Sequence, residues 1–262
     1  MKKPKISIVM TYYNRKQHLI NTLWSISKSR YKNIEVIVID DGSSVSHRIN
    51  DLEKEFEFLK VYRINIKDKL HKNPCIPLNK AISHSTGDVI IIQSAESFHY
   101  DDIIRYTAHN IEDNKYLAFS TLNKDCVNDI TKYMNKDNFK KLKDIIKIDK
   151  KDKWYCHSEH RPKALNFCTA ITRKDLSELN GFDERYANGI ERDDVEFLER
   201  VIRKGMDVVF VDDHLVIHQK HDNVYYNQPN SIELKNKNHE LYKNTTDKEK
   251  TIRANPSKKI IK

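Results

Sequence analysis

Several features of membrane and secreted proteins are missing from this chain. No stretch approaches the roughly 20 consecutive apolar residues of a membrane-spanning helix. The apolar run near the N-terminus, within MKKPKISIVM, is too short for a signal peptide. The cysteines show no CxxC spacing, and with no export signal we interpret them as reduced thiols. They are Cys75, Cys126, Cys156 and Cys168. These absences predict a cytoplasmic protein.

Glycine-rich phosphate motifs are missing too. The sequence has no GxGxxG after its first predicted strand, and no GxxxxGK followed by Ser or Thr anywhere. This argues against a dinucleotide cradle and against a P-loop. A sugar nucleotidyltransferase is disfavoured because no glycine-rich basic loop follows the first strand. Side chains would therefore have to bind a nucleotide base. A carboxylate suits this role because it can accept a hydrogen bond from a pyrimidine N–H.

The charge of the chain is unevenly distributed. The 262 residues carry a formal net charge of +9, and the pI is about 9.1. Residues 235–262 hold nine Lys or Arg against three acids, so this tail supplies most of the excess. One interpretation is a solvated or disordered tail, and the other is contact with an anionic membrane surface. A nucleic-acid-binding protein is an alternative function, but its charge would act from the tail, and we expect no nucleic acid partner.

Strand and helix patterns alternate along most of the chain. Short β-branched runs predict strands, and apolar spacing of three and four predicts helices. This alternation is typical of an α/β fold with a mostly parallel sheet flanked by helices. Strands are predicted at 6–10, 34–39, 59–64, 89–92, 167–172 and 206–211, and helices at 16–27, 46–58, 78–85, 174–179 and 194–204. We expect 124–153 to be a mobile lysine-rich insertion with helical turns around 139–148, and 215–221 to close the ordered part.

Polar residues stand at the carboxyl ends of three predicted strands, where open α/β sheets bind their ligands. They are Thr11-Tyr12-Tyr13-Asn14-Arg15, Asp40-Asp41-Gly42-Ser43-Ser44 and Gln93-Ser94-Ala95-Glu96. Taken alone, Asp-Asp-Gly is also an ordinary signal for a turn after a strand. Together the three groups predict a nucleotide site at one edge of the sheet.

Three motifs carry a family resemblance. SIVMTYYNR, VIVIDDGSS and NKAISHSTGDVIII, in this order, resemble the nucleotide-binding half of GT-A-fold glycosyltransferases of family 2. The resemblance covers about residues 5–100. It implies the GT-A fold, with Tyr12 and Tyr13 as candidates to stack on the base, next to Thr11. Asp40 would bind the base and Asp41 would shape the turn. The candidate nucleotide-binding set also includes Asp41, Asn14 and Arg15, and Asn79 is a candidate for the donor diphosphate.

The metal motif of that family is altered in this chain. Where the family usually has D-x-D, this sequence reads Gln93-Ser94-Ala95-Glu96, which resembles a Q-x-x-E branch followed by a histidine, here His99. Gln93, Ser94 and Glu96 are the donor-side candidates. Mn²⁺ and Mg²⁺ prefer carboxylate oxygens, so either Glu96 still binds one of them with help or metal dependence is weakened. The help could come from His218 or, second, His221. Both could equally be ordinary surface or core histidines.

The second half supplies candidates for acid–base chemistry. GFDE and GIERDDVEF resemble the corresponding segments of these enzymes, especially the galactosyltransferase-type half. By this resemblance Asp194 is the catalytic base, with Asp193 and Glu191 beside it. The two aspartates could also simply cap a helix. Trp154 and Tyr155 are candidates to stack on an acceptor sugar, although Trp154 could instead belong to the core.

The resemblance implies transfer of a sugar from a nucleoside diphosphate, with a UDP-sugar favoured, to an acceptor hydroxyl, with inversion. The acceptor could be a glycan, a lipid-linked glycan or a protein. The alternative is a GT-A binding protein that has lost catalysis. We expect one domain over 1–234, divided into a nucleotide half (1–120), the insertion (121–153) and an acceptor half (154–234). The basic tail follows it, over 235–262, and peripheral membrane contact would involve that tail.

Overall fold

The computed structural model describes residues 3–134, 137–149, 152–222 and 230–261. In this part of the chain, strands and helices alternate, with short 3₁₀ helices between some of them. The strands are Ile6–Tyr12 (β1), Ile34–Asp40 (β2), Leu59–Arg63 (β3), Val89–Gln93 (β4), Ser97–His99 (β5), Lys115–Lys124 (β6), Lys153–Cys156 (β7), Cys168–Thr172 (β8) and Asp207–Gln219 (β9). The α-helices are Lys16–Ser27 (α1), Cys75–His84 (α2), Ile103–Asn110 (α3), Val127–Met134 (α4), Phe139–Ile145 (α5), Arg173–Leu179 (α6), Asp193–Arg203 (α7) and Ser231–Lys243 (α8).

The described strands form one sheet in the order β3-β2-β1-β4-β8-β6-β9-β5, with β7 paired to β6. The first four strands are parallel, as predicted. β8 runs antiparallel between β4 and β6, and β6 is parallel to β9. The direction of chain progression reverses around β1, so the carboxyl ends of β1, β2 and β4 meet at one edge. That edge is where a ligand site is expected in such a sheet.

The two faces of the sheet are covered by different helices. Ile8 and Met10 of β1 join a buried cluster with Leu19 and Leu23 of α1. Val9 faces the other way and joins a cluster that contains residues of α2, α6 and α7. Successive strand residues point to opposite faces, so this alternation lets a nearly continuous apolar run fill two cores. The four cysteines are free and buried, in line with the prediction of reduced thiols.

The lysine-rich segment is more ordered than predicted. α4 and α5 both belong to it, and Ile130 and Leu142 are buried in a third cluster with Trp24 of α1 and Phe98 of β5. Polar residues, with one lysine in α4 and three in α5, alternate with these apolar residues, so one face of each short helix packs while the other meets solvent. The expectation of a mobile insertion is therefore corrected for residues 124–134, 137–149 and 152–153.

The basic tail is also packed against the domain. α8 crosses the predicted boundary at 234/235 and is followed by a π-helix, Asn244–Glu249. Asn180 holds the last described residues: its Nδ2 donates to the carbonyls of Ala254 and Lys258, and its Oδ1 accepts from the N–H of Ile260. The expectation of a solvated or disordered tail is therefore wrong for residues 235–261. The division of the chain into halves stays a prediction.

Two further expectations differ from the structure. The helix predicted over 46–58 is replaced by two 3₁₀ helices, Val45–His47 and Asn50–Lys54, because Ile49 leaves the helical region between them. The strand predicted over 206–211 continues through His218 to the end of β9, and α8 follows it, so 215–221 does not close the ordered part. No helix in the described ranges has the length and apolar character needed to cross a bilayer.

Candidate active site

A cavity of about 530 Å³ opens at the carboxyl ends of β1, β2 and β4. The first residues of α7 and the end of β9 close its other sides. The predicted site residues that line it are Thr11, Tyr12, Tyr13, Arg15, Asp41, Gln93, Ser94, Glu96, Tyr155, Glu191, Asp193, Asp194, His218 and His221. Thus one cavity brings together candidates from both halves of the sequence. Asn14, Asp40, Asn79 and Trp154 are not among its lining residues.

The tyrosines after β1 border one end of the cavity. Tyr12 is buried, and its hydroxyl donates to the carbonyl of His47 at 2.7 Å. Tyr13 is half-buried, and the Lys69 ammonium lies 4.6 Å from the centre of its ring. Thr11 lines the same end. Tyr13 therefore presents an accessible aromatic face, while Tyr12 is fixed in the wall.

The two aspartates after β2 have different surroundings. Asp40 is fully buried, forms an ion pair with Arg63 and accepts from the N–H of Ser43 at 2.8 Å. Asp41 lines the cavity, with Lys69 Nζ and His71 Nε2 each 2.7 Å from its carboxylate. Asp40 has no exposed surface and does not line the cavity, whereas Asp41 does. The choice of Asp40 for base binding is therefore corrected, and Asp41, the other aspartate of the predicted nucleotide-binding set, is the candidate.

Asn14 and Arg15 connect loops around the cavity. Asn14 adopts φ = 55°, donates its N–H to Ser43 Oγ and accepts from the N–H of Ser44. It shapes the loop and does not line the cavity. Arg15 Nη1 lies 3.0 Å from Glu96 Oε1. Arg15 therefore links the end of β1 to the turn after β4.

Glu96, His218 and His221 form a group that could hold a metal ion. One ligand atom from each lies within 4.8 Å of the others. The antiparallel pairing of β5 with β9 creates this proximity, because Ser97 is opposite His218. Burial opposes ionisation of Glu96, but Arg15 and the histidines outweigh it and hold the pKa of its carboxyl below the ordinary value.

His218 has the properties of a metal ligand. It is buried, and its Nδ1 has no hydrogen-bond partner among the residues that the structure describes. Burial lowers the pKa of His218 to about 4, so the imidazole stays neutral and keeps a lone pair at physiological pH. A buried nitrogen without a partner is costly unless a ligand satisfies it. Two imidazoles and a carboxylate suit a transition metal such as Mn²⁺ better than Mg²⁺, which prefers oxygen ligands.

The remaining residues of the altered motif shape the turn after β4. Gln93 Nε2 donates to the carbonyl of Ser97, and its Oε1 lies 2.8 Å from His99 Nε2. The hydroxyls of Ser94 and Ser97 are 2.8 Å apart. Gln93 and Ser94 line the cavity, yet these internal contacts already use their polar atoms. Asn79 does not line the cavity. Its Nδ2 donates to the carbonyl of Phe182 and its Oδ1 accepts from the N–H of Phe182, so Asn79 stabilises a loop. Its predicted role at the donor diphosphate is therefore corrected.

The carboxylates of Asp193 and Asp194 stand at the start of α7, as predicted. Asn73 Nδ2 donates to Asp193 Oδ1 at 2.8 Å, and the N–H of Val195 donates to Asp194 Oδ1. Burial and then the charge of Asp194 raise the pKa of Asp193. Burial also raises the pKa of Asp194. Carboxyls with raised pKa values can exchange protons near neutral pH, which suits a general base.

Glu191 precedes these two aspartates and contacts α8, in the segment predicted to be a tail. It lines the cavity and adopts φ = 65°. Its carboxylate lies 3.4 Å from Lys235 Nζ, and its carbonyl accepts from Asn238 Nδ2 at 2.8 Å. The segment predicted to be a free tail therefore helps to position one wall of the cavity.

Tyr155 and Trp154 lie on opposite sides of β7. Tyr155 lines the cavity and stacks on Phe167, with ring centres 4.5 Å apart. Trp154 packs against the third hydrophobic cluster and stacks on His160. Neighbouring residues of a strand point in opposite directions, so one of the two predicted sugar-stacking residues is excluded. Tyr155 stays the candidate, and Trp154 belongs to the core.

Comparison with known proteins identifies the family. The model of glycosyl transferase family 2 matches residues 7–177, which is more than half of the chain. The chain belongs to glycosyl transferase family 2. The amylovoran biosynthesis glycosyltransferase AmsB of Erwinia amylovora is 22% identical over 224 residues, covering 80% of this chain and 68% of that protein. The putative glycosyltransferase EpsE of Bacillus subtilis (strain 168) is 33% identical over 98 residues, covering 37% of this chain and 34% of that protein.

Solved structures show the same GT-A fold. The mannosyltransferase PcManGT from Pyrobaculum calidifontis, in complex with GDP-Man and Mn²⁺, has a TM-score of 0.58 and 14% identity. The alignment covers 87% of this chain and 60% of that one. S. aureus TarS 1-349, in complex with UDP-GlcNAc, has a TM-score of 0.61 and 14% identity, covering 84% of this chain and 59% of that one. The family 2 chain described here therefore spans about 60% of the length of these two neighbours.

Several cavity residues of this glycosyltransferase belong to no recognisable sequence motif. They are Lys72, Asn73, Lys153, Arg161, Asn166 and Phe167. Lys72 and Lys153 are exposed, and Arg161 donates to the carbonyl of Tyr155. None of these three cations forms an ion pair with a carboxylate in the described ranges. They lie in loops or at a strand end without a motif, so only proximity to the cavity reveals them.

Proposed function

We propose that this family 2 glycosyltransferase transfers a sugar from a nucleoside diphosphate to an acceptor hydroxyl. The observation that carries the proposal is the shared cavity. It joins Asp41 and the tyrosines after β1, the group of Glu96, His218 and His221, and the buried pair at the start of α7. These are the parts needed to bind a nucleotide, to neutralise a diphosphate and to accept a proton.

The donor would enter at the end formed by β1 and β2. Tyr13 offers a ring face to the base, and Asp41 offers a carboxylate to a pyrimidine N–H, which favours a UDP-sugar. Asp41 is held by Lys69 and His71, so its oxygens are fixed before the nucleotide arrives. Pre-organised groups lose less entropy on binding, so this end would select the base.

Glu96, His218 and His221 would hold a divalent cation, and the ligand types favour Mn²⁺. When bound, the cation would neutralise the diphosphate as it leaves. Arg15 already contacts Glu96, so it would orient that carboxylate and add a second positive charge. Lys72, Lys153 and Arg161 are further cations of the cavity that can face an anionic substrate group.

Asp194 is proposed as the general base. It would take the proton from the acceptor hydroxyl as the oxygen attacks the anomeric carbon, on the side opposite the leaving diphosphate. Such displacement inverts the anomeric carbon. Asp193 is held by Asn73 and shares the site, so the two carboxyls would titrate as a pair. A positioned base contributes about 10²–10⁴-fold in rate.

The acceptor side would be formed by Glu191 and Tyr155. The ring of Tyr155 can pack on a sugar, and the carboxylates of Asp193 and Asp194 in the same cavity can accept from its hydroxyls. We therefore propose a glycan acceptor. A lipid-linked glycan and a protein stay alternatives, because Glu191 and Tyr155 would contact only the part of the acceptor that enters the cavity.

The test is donor hydrolysis, which needs no known acceptor. UDP-, GDP- and TDP-sugars would be incubated with the protein, with and without Mn²⁺, and sugar release measured. We expect Mn²⁺-dependent release from one donor. Glu96→Gln should abolish the Mn²⁺ dependence, while Asp194→Asn should lower release about 10²-fold or more and leave UDP binding unchanged. Asp207→Asn, which alters an exposed carboxylate outside the cavity, is the matched control.

A binding protein without catalysis is the second candidate, and Gln93 in place of the usual aspartate is the observation that favours it. UDP binding with no release from any donor, at any metal concentration, would support that alternative. Release that Asp194→Asn does not affect would contradict the assignment of the base.

A further inference from the structure

Large apolar side chains are exposed on two segments that contact the same wall of the cavity. Ile66 and Leu70, in the segment 65–72 between β3 and α2, are 64% and 85% exposed. Ile232, in the first turn of α8, is 76% exposed. Single exposed apolar residues need no explanation. Here, however, three of the most exposed ones of the described chain lie on segments that are bonded to one wall segment, residues 187–191.

Both segments are fixed to the cavity wall. Lys72 lines the cavity, and its N–H donates to the carbonyl of Ala187 at 2.7 Å. On α8, the carbonyl of Leu234 accepts from the N–H of Ile190. Lys235 reaches Glu191. We call residues 65–72 and 231–237 the rim, because each contacts the wall segment 187–191.

The position of Leu70 follows from its neighbours. Lys69 and His71 both turn towards Asp41, with contacts of 2.7 Å. Leu70, between them, is left outside. The site itself therefore dictates that an apolar side chain faces solvent at this place, and a substitution of Leu70 leaves the contacts of Asp41 in place.

The rim is also basic. It carries five lysines against two acids: Lys67, Lys69, Lys72, Lys235 and Lys237 against Asp68 and Glu233. Lys67, Lys72 and Lys237 are exposed and form no ion pair within the described ranges. Exposed Ile and Leu interleaved with lysine is the pattern of surfaces that lie on anionic membranes, where the apolar side chains enter the boundary of the acyl chains.

We propose that the rim is a docking surface for an anionic lipid bilayer. Charge complementarity selects this partner, because the lysines attract anionic headgroups while the three apolar side chains leave water. Docking would hold the mouth of the cavity at the membrane surface. The proposal does not depend on sugar transfer, although a lipid-linked acceptor would be its functional consequence. In this proposal the membrane contact is made by segment 65–72 and the packed first turns of α8, and not by a free basic tail.

The test is sedimentation of the full chain with lipid vesicles. The vesicles would contain phosphatidylcholine alone, or phosphatidylcholine with 30 mol% (roughly one lipid in three) phosphatidylglycerol, to supply the anionic charge on which the attraction depends. We expect binding to the anionic vesicles that is at least about tenfold stronger than to the neutral ones and that weakens with salt. Ile66→Glu with Leu70→Glu should reduce binding about tenfold or more, and Lys67→Gln about fivefold.

Ile202→Glu is the matched control. Ile202 is 53% exposed near the end of α7, one residue before the helix ends and remote from the rim. It loses one apolar side chain and gains one negative charge, as each of the two rim replacements does, and it should bind vesicles like the unmodified protein. UDP binding and thermal unfolding show that each variant is folded, since Ile66, Leu70 and Ile202 do not line the cavity.

The outcomes are distinct. Absence of binding to anionic vesicles at low salt overturns the proposal, and so does a rim variant that binds as well as the control. If sedimentation in the absence of lipid shows a dimer that the rim variants dissociate, the surface belongs to a second copy and the membrane assignment is wrong. Failure to release sugar from any donor would contradict the proposed function and would leave vesicle binding unaffected.

Discussion

Replacement of Asn73 by alanine should shift the pH dependence of the reaction. Asn73 is buried beside α2, and its Nδ2 donates to Asp193 Oδ1 at 2.8 Å. Burial and the charge of Asp194 raise the pKa of Asp193, whereas this hydrogen bond lowers it. Removal of this donor leaves burial and the charge of Asp194, which favour the protonated form, opposed by the backbone N–H groups of Asp193 and Asp194. The pKa of the Asp193–Asp194 pair should therefore rise further.

The size of the shift follows from the bond that is lost. A hydrogen bond to a charged group is worth about 1.5–3 kcal/mol, and about 1.4 kcal/mol corresponds to one pH unit. Asn73→Ala should therefore move the acidic limb of kcat/KM upward by about one to two units. The rate should recover at high pH, because the base is still present once it is deprotonated. Asn73→Ala also removes a longer bond of 3.4 Å to the carbonyl of Glu191, but that carbonyl keeps its bond of 2.8 Å from Asn238.

The assay is donor hydrolysis between about pH 5.5 and 9.5, the range around the titration of a general base. A carbon-13 NMR titration of the aspartate carboxyls would measure the same pKa values without turnover. Asn79→Ala is the matched control: it removes another buried asparagine, bonded to Phe182 and not to Asp193, and should lower stability without moving the limb. A uniform loss of rate at every pH, with the limb unmoved, would refute the reasoning.

Three other substitutions test the fold. Hydrogen bonds and an ion pair overcome the effect of burial and lower the pKa of Glu35 from 4.5 to about 2. Its ionised form should thus contribute about 3 kcal/mol at neutral pH, and this contribution is lost as the pH falls from 4.5 towards 2, so Glu35→Gln should cost about that much at pH 7. Arg200 is fully buried and pairs with Glu196 at 2.7 Å, so Arg200→Met should cost about 3–5 kcal/mol, and Arg200→Met with Glu196→Met should cost less. A Cβ on Gly189 would lie 2.1 Å from Asn238 Oδ1, so Gly189→Ala should displace α8 and cost about 1–3 kcal/mol.

Urea unfolding measures all three, and hydrogen exchange along α8 reports the third. For Glu35, the exposed Glu57→Gln is the control and should change stability by less than about 0.5 kcal/mol. The linkage argument fails if Glu35→Gln is equally destabilising at pH 7 and at pH 3. The ion-pair argument fails if the double replacement is worse than Arg200→Met alone. Unchanged exchange along α8 would contradict the role given to Gly189.

Much of the first half was predictable because local patterns decide it. The apolar runs of β1, β2 and β4 are buried on both faces, so their composition alone marks them as strands of a parallel sheet. Parallel strands place their carboxyl ends together, so the polar groups that follow had to meet. The errors lie where local signals are mixed. Lysines alternate with apolar residues in α5 and α8, and their charge suggested disorder although one face of each helix packs.

Local sequence patterns were sufficient to predict the family, the parallel half of the sheet and the edge at which the cavity opens. Which side chain of each candidate pair reaches that cavity depends on contacts made in the folded chain. Asp40 turns to Arg63 while Asp41 faces the cavity, and Tyr155 lines the cavity while Trp154 joins the core. Neighbouring residues have nearly the same local sequence context but opposite directions, and partners far along the chain set those directions. The meeting of Glu96 with His218 likewise depends on the register of β5 against β9, which no local pattern encodes.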